Sequence, residues 1–148
     1  MKNLQALFRI AAILWIIWGI VHIFAGIMTD YFILNKNITA AISGIADKVD
    51  SESLIRDYPS AAGAIIGQHG FNLLWIGLVT FICAFYVWKG NKSAIFLAAI
   101  TGGLADLGYF LFMDLGGFTN FVPGTIMTIV SSMAIVISFY ALFKRESV

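Results

Sequence analysis

The chain has 148 residues, of which 60% are apolar and only 11% are charged. An average soluble domain carries about 25% charged residues, and disordered chains combine high charge with low hydrophobicity, so the composition excludes both classes. The net charge of +1 gives no electrostatic basis for binding nucleic acid. The single cysteine, Cys83, can form no internal disulfide and matches no zinc-binding spacing. This composition is typical of a small polytopic membrane protein.

Four segments are long and apolar enough for membrane-spanning helices, which need about 20 mostly apolar residues. We predict them at about 7–28, 64–88, 93–115 and 123–143. The first is uncharged from Ile10 to Met28, which is longer than the apolar core of a signal peptide, about 7–15 residues. The predicted fold class is therefore an all-α, four-helix transmembrane bundle that forms a single integral membrane domain over residues 1–148.

The distribution of charge predicts the orientation of the bundle. The loop at about 29–63 contains both basic and acidic side chains, with the acidic ones in excess. The basic side chains on the opposite side of the predicted bundle are Lys2, Arg9, Lys89, Lys92, Lys144 and Arg145. Because cytoplasmic loops carry an excess of Lys and Arg, both termini are expected in the cytoplasm and the 29–63 loop outside. The expected location is the cytoplasmic membrane of a bacterium.

The outer loop contains one segment with helical periodicity. Ile38, Ile42, Ile45 and Val49 fall on one face at the spacing of an amphipathic helix. We expect a short amphipathic helix on the outer face between spans 1 and 2. It would either pack on the bundle and lipid headgroups as a cover or act as a gate over a site.

Ionisable residues are rare within the predicted spans, where a charge costs at least about 2.5–3.5 kcal/mol. His22, His69 and Asp106 are each expected about 7–14 Å below the outer end of a span, at 1.5 Å per residue. The inner halves of the spans carry few such groups. The candidate ligand-binding residues are these three, two nearby amides, one phenol and two polar residues expected at the mouth of a pocket. They are His22, His69, Asp106, Asn72, Tyr109, Gln68, Asp114 and Asn120.

This convergence predicts an outward-facing polar pocket that binds a small polar ligand or a cation. Transport, sensing and a proton relay between histidine and carboxylate all fit such a pocket. Whether the chain is an enzyme is left open, because intramembrane catalysis would also fit such a pocket. The sequence contains no phosphate-binding loop, nucleophile elbow or Walker motif.

Three alternatives use the same residues differently. His22 and His69 could be the axial ligands of haem b, with Gly19 and Gly26 admitting the porphyrin. With Asp106, the two histidines could instead bind a divalent metal, zinc or non-haem iron. The polar residues could also only hold the helices together.

In that last case the chain would be an accessory or assembly subunit. Its predicted partners are the lipid bilayer, a further copy of the chain or another membrane subunit, and not nucleic acid. Trp15, Trp18 and Trp75 are expected to pack in the bundle or to contact lipid.

Overall fold

The computed structural model describes residues 2–147, so residues 1 and 148 of the predicted single domain lie outside the described range. Within that range the chain is helical and contains no strand. The α-helices of the described chain are α1 (Lys2–Leu34), α2 (Ile38–Ile45), α3 (Ser60–Val87), α4 (Lys92–Tyr109) and α5 (Ile126–Glu146). A 3₁₀ turn follows α2 at Ser51–Leu54, and π-helical turns cover Phe110–Asp114 and Phe121–Thr125.

Four helical segments are long and apolar enough to cross a membrane, which confirms the predicted number of spans. They cover Asn3–Leu34, Ser60–Val87, Lys92–Asp114 and Phe121–Glu146. The first is longer than expected, because the helix continues past Met28 through Thr29, which is buried. These four helices are compatible with an integral membrane protein.

The predicted loop helix is present as α2, although it is shorter than the isoleucine pattern suggested. The Asn37 side chain accepts a hydrogen bond from the Ala40 amide at 3.0 Å and so caps its first turn. The helix ends at Ile45, and Val49 lies beyond it. Helix α2 contacts α1 and α3, and its Ala41 is buried.

The two ends of the bundle are joined by different contacts. At the end that carries the chain termini, Gln5 donates to the Trp88 carbonyl and Arg145 donates to the Gly90 carbonyl, both at 2.7 Å. These bonds tie α1 and α5 to the turn between α3 and α4. At the opposite end, which we call the loop end, the Lys48 amide donates to the Phe118 carbonyl at 3.1 Å. The two long connections therefore meet at the loop end.

The buried apolar core lies mainly in the half of the bundle nearer the termini. Trp15 and Trp18 are fully buried there, and their rings meet edge to face at 5.9 Å. Small residues allow the helices to approach these rings. The main buried apolar residues of this core are Phe8, Ala11, Ala12, Trp15, Trp18, Cys83, Ala84, Val87, Ile95, Ala98, Ala134, Ala141 and Leu142.

The outer surface of the bundle is apolar. On α1 alone, large exposed hydrophobic side chains recur along the helix at Ile10, Ile13, Ile17, Ile20, Phe24 and Ile27. A soluble monomer rarely exposes a continuous apolar surface of this kind, whereas a helix that faces lipid must do so.

Glycines bring α1 and α3 into backbone contact. Gly19 and Gly26 on α1 face Gly77 and Gly70 on α3, and both pairs are spaced by two helical turns. A Cβ atom added to Gly26 would lie 2.6 Å from the Gly70 carbonyl oxygen and from the Leu74 amide nitrogen. Such close helix contacts are typical of membrane bundles, and this one sets where His22 lies relative to α3.

Candidate functional site

A cavity of about 460 Å³ lies in the loop-end half of the bundle. Its volume falls within the range of small-molecule sites, about 300–1,000 Å³. Most of its wall is apolar, and its polar side chains are few. All five α-helices and the turn before α5 contribute to its wall. The lining residues are Val21, His22, Phe24, Ala25, Met28, Thr29, Phe32, Ala41, Gly44, Ile45, His69, Leu73, Asp106, Tyr109, Pro123, Gly124 and Met127.

The most buried ionisable group in this wall is Asp106. The indole Nε1 of Trp18 donates a hydrogen bond to its Oδ2 at 2.6 Å. The Nε2 atom of His22 lies 3.7 Å from its Oδ1, so each carboxylate oxygen faces a different α1 side chain. Only 5% of the Asp106 side chain and 13% of the His22 side chain are exposed, so water screens this contact weakly.

Trp18 and His22 form a stacked pair on α1. They are four residues apart, and their rings stack with centroids 3.5 Å apart and planes inclined by 18°. The His22 Nδ1 donates to the Trp18 carbonyl oxygen at 2.9 Å, since a carbonyl can only accept. The other ring nitrogen, Nε2, is thereby directed towards Asp106.

His69 and Tyr109 line the same cavity from α3 and α4. His69 is exposed at the surface of the bundle, as is Phe24, and the cavity is therefore open beside them. The Tyr109 hydroxyl lies against the backbone of Gly124, where an added Cβ would be 2.6 Å from it. The glycine after Pro123 thus leaves the space that this hydroxyl occupies.

Helix α2 forms the loop-end wall of the cavity through Ala41, Gly44 and Ile45. The sequence offered two roles for this segment, a cover or a gate. The structure places it against the cavity, a position common to both roles. Gly44 leaves open space at this wall, because a Cβ added there would meet no atom within 4 Å.

Asp106 also lines a second cavity, of about 460 Å³, between α4 and α5. The Thr128, Ser131 and Ser132 hydroxyls give this cavity a polar side, and Leu107 and Phe110 at its rim are exposed. The carboxyl group therefore lies in the wall between two spaces. Thr128 and Ser131, in the first turns of α5, border this second space rather than the first.

Asp114 and Asn120, predicted at the mouth of the pocket, serve instead in connections at the loop end. Asp114 Oδ1 accepts from Thr119 at 3.0 Å and from Thr125 at 2.6 Å. The Asn120 amide donates to Asp47 Oδ1 at 2.7 Å, and its side-chain nitrogen donates to the Asp47 carbonyl at 3.1 Å. Neither Asp114 nor Asn120 lines the cavity.

Gln68 and Asn72 also lie outside the cavity wall. Gln68 is exposed on α3, next to His69. Asn72 accepts a hydrogen bond from the Trp75 indole at 3.0 Å on the outside of the helix. Adjacent residues on a helix do not share a face, so the Gln68 side chain diverges from that of His69. Asn72 is three residues after His69, and its amide is bonded to Trp75 instead of lining the cavity.

Two features of the structure are unfavourable to the proposed metal and haem centres. Among residues 2–147, no three His, Cys, Asp or Glu side chains are close enough together to hold a metal ion, so the set of His22, His69 and Asp106 is not formed. Gly19 and Gly26 face the backbone of α3, which fills the space that a porphyrin would need. Neither cofactor gains support from this geometry.

The contribution of Trp18 to the site was missed at the level of sequence. Its expected packing role is correct, since it is fully buried, but its indole N–H is also the donor to Asp106. The available signal was its position one turn before His22 on the same face of the helix.

Comparisons of the chain with protein-family models, curated proteins and solved structures found no match.

Proposed function

We propose that this chain is an integral membrane protein that binds a small ligand in the cavity between its helices. The ligand has an apolar body and one polar or positively charged group, which meets Asp106, His22 and Tyr109. Transport and sensing both begin with such a binding step. Because the apolar wall is extensive, the proposal differs from a purely polar pocket.

The observation that carries the proposal is the placement of Asp106. A carboxyl group inside an apolar bundle is costly, and such groups usually mark ligand or ion pathways. This one lies in the wall of a cavity of ligand size rather than in a closed core. Its two oxygens face Trp18 and His22, so both its position and its direction are defined.

The cavity can be filled at a position that tolerates a larger side chain. Gly44 lines the cavity and has open space at its Cβ, so Gly44→Phe should occupy the ligand volume without disturbing the packing. Gly108 on α4 also has open space at its Cβ but lines neither cavity, so Gly108→Phe is the matched control.

The test measures binding of two probes to protein in lipid nanodiscs by equilibrium dialysis. The probes are the benzyltrimethylammonium cation and its uncharged carbon analogue, neopentylbenzene. Gly44→Phe should weaken the binding of both probes by at least about tenfold, which corresponds to about 1.4 kcal/mol. Gly108→Phe should leave the binding of both probes unchanged. Equal binding to both variants, or no binding to the unaltered protein, would overturn the proposal.

We further propose that the loop end faces the outside and both termini face the cytoplasm. The support is the concentration of basic side chains at the other end. In a Cys83→Ala background, Asp57→Cys at the loop end should react with an impermeant thiol reagent added to intact cells. Lys89→Cys in the α3–α4 turn should react only after lysis. The reverse pattern would invert the orientation.

A structural role for the polar residues is the competing explanation, since the Trp18–Asp106 bond links α1 to α4. The structural explanation and the binding proposal predict different results for the Gly44→Phe variant. This variant leaves the bond and all its partners intact, so a purely structural role gives no change in any ligand-dependent measurement.

A further inference from the structure

Building on the proposed function, we infer that the ligand is a monovalent organic cation and that it exchanges for one proton held by the His22–Asp106 pair. In the empty site the pair retains a proton, shared between the His22 Nε2 and Asp106 Oδ1 positions. When the cation binds, that proton leaves to solvent and Asp106 remains as the counter-charge. The total charge of the site is the same before and after the exchange.

The first support is the hydrogen-bond pattern of His22. Its Nδ1 must carry a hydrogen, because it donates to the Trp18 carbonyl. In a neutral imidazole the Nε2 atom is then a bare acceptor, directed at Asp106 Oδ1 only 3.7 Å away. Two acceptors facing each other in a buried place repel, whereas one proton on either atom makes the contact favourable.

The second support is the absence of a fixed positive charge. Within the described part of the chain, no Lys or Arg lines either of the cavities that Asp106 borders. Trp18 donates one hydrogen bond to Asp106 but carries no charge. A buried carboxylate needs a cation or a proton, so in this site the compensating charge must be exchangeable.

Other titratable groups surround the pair but do not replace it. His69 approaches the cavity from α3 and Tyr109 from α4. Asp114 lies beyond α4, held by threonine hydroxyls, and Asp30 lies further along α1 against Gly70. Helices α2 and α5 contribute only small, apolar or hydroxyl side chains to the two cavities.

The rest of the cavity wall suits an organic cation. Phe24, Phe32 and Tyr109 offer aromatic faces, and Met28 and Met127 are polarisable. Aromatic rings attract cations by about 0.5–2 kcal/mol, and an apolar wall accommodates the substituents of an ammonium group. A small hydrated metal ion would find few oxygen ligands in the same wall.

The test measures proton release in a weakly buffered suspension of the purified protein, with a pH-indicator dye. Benzyltrimethylammonium should release about one proton for each cation bound, whereas neopentylbenzene should bind in the same cavity and release none. Because the proton competes with the cation, affinity for the cation should rise with pH. The affinity for the cation should rise by up to about tenfold per pH unit over the pH range in which the empty pair holds its proton.

Two variants assign the proton. Asp106→Asn keeps an acceptor for Trp18 but removes the charge. It should therefore abolish proton release and weaken binding of the cation by at least about tenfold, while neopentylbenzene still binds. In His69→Gln the release of a proton per bound cation should persist, whatever the change in affinity.

The outcomes separate the two proposals. Binding of both probes with similar affinity and without proton release would overturn the exchange inference and leave the proposed function standing. Binding of neither probe would overturn the proposed function, and the inference with it. Loss of proton release in His69→Gln, with release retained in Asp106→Asn, would assign the proton to His69 and overturn the role of the His22–Asp106 pair. The measurement on the unaltered protein requires no variant to fold.

Discussion

Trp18 on α1 and Asp106 on α4 are joined by a buried hydrogen bond of 2.6 Å between the indole Nε1 and Oδ2. The same tryptophan stacks on His22, which faces the other carboxylate oxygen. One residue of the core therefore positions both members of the candidate site. A side chain with these two functions is expected to respond differently to substitution from one that only fills space.

The Trp18→Phe variant tests this hydrogen bond. Phenylalanine retains an aromatic ring for His22 but removes the donor, so Asp106 keeps a buried acceptor without its partner. The free energy of unfolding should fall by about 1–3 kcal/mol, measured by denaturation in mixed micelles. Trp75→Phe is the control, because its indole donates to the exterior side chain of Asn72 and its loss should be nearly neutral. Similar effects at both positions would contradict the assignment.

The glycine contact between α1 and α3 gives a prediction for Gly26→Ala. The added methyl group would meet backbone atoms of α3 at 2.6 Å, so the helices must separate. Overpacking of this kind costs about 1–3 kcal/mol, and the same denaturation measurement applies. Gly108→Ala places its methyl group in open space and should stabilise α4 by up to about 1 kcal/mol. A neutral Gly26→Ala would show that α1 and α3 are not in backbone contact.

The threonines around Asp114 should differ in importance. Thr125 donates to Oδ1 at 2.6 Å, whereas Thr128 is 3.4 Å from Oδ2. Replacing Thr125 by the similarly shaped valine should lower stability by about 1.5–3 kcal/mol. Thr128→Val should lower it by less than about 1 kcal/mol, because hydrogen bonds weaken at that distance. The reverse order in thermal unfolding would indicate a different arrangement around Asp114.

The bonds between Asp47 and Asn120 should control how often the loop end opens. Asp47→Ala removes the acceptor for the Asn120 amide and is expected to lower the opening free energy of α2 by about 1–2 kcal/mol. Amide hydrogen exchange in α2 should then rise by about five- to thirtyfold. Asp50→Ala removes only the local contact to the Glu52 amide, so exchange in α2 should not change. Equal exchange in both variants would show that α2 is held by other contacts.

The apolar pattern by itself determined the helices and their number. Four runs of about 20 apolar residues have few alternatives to helices that cross a membrane, and the isoleucine spacing was enough to predict α2. Counting residues from the end of each span also indicated that His22, His69, Asp106 and Tyr109 share a level. All four line one cavity.

Only the tertiary structure decided which side chains at that level face one another. Helix rotation, set by the glycine contact of α1 with α3, directs His22 towards Asp106, while Asn72 points outward despite its similar depth. The loops around Asp114 and Asn120 depend on partners far away in sequence, such as Asp47, and no local pattern reveals these. Depth follows from the rise of a helix, but orientation depends on packing between helices.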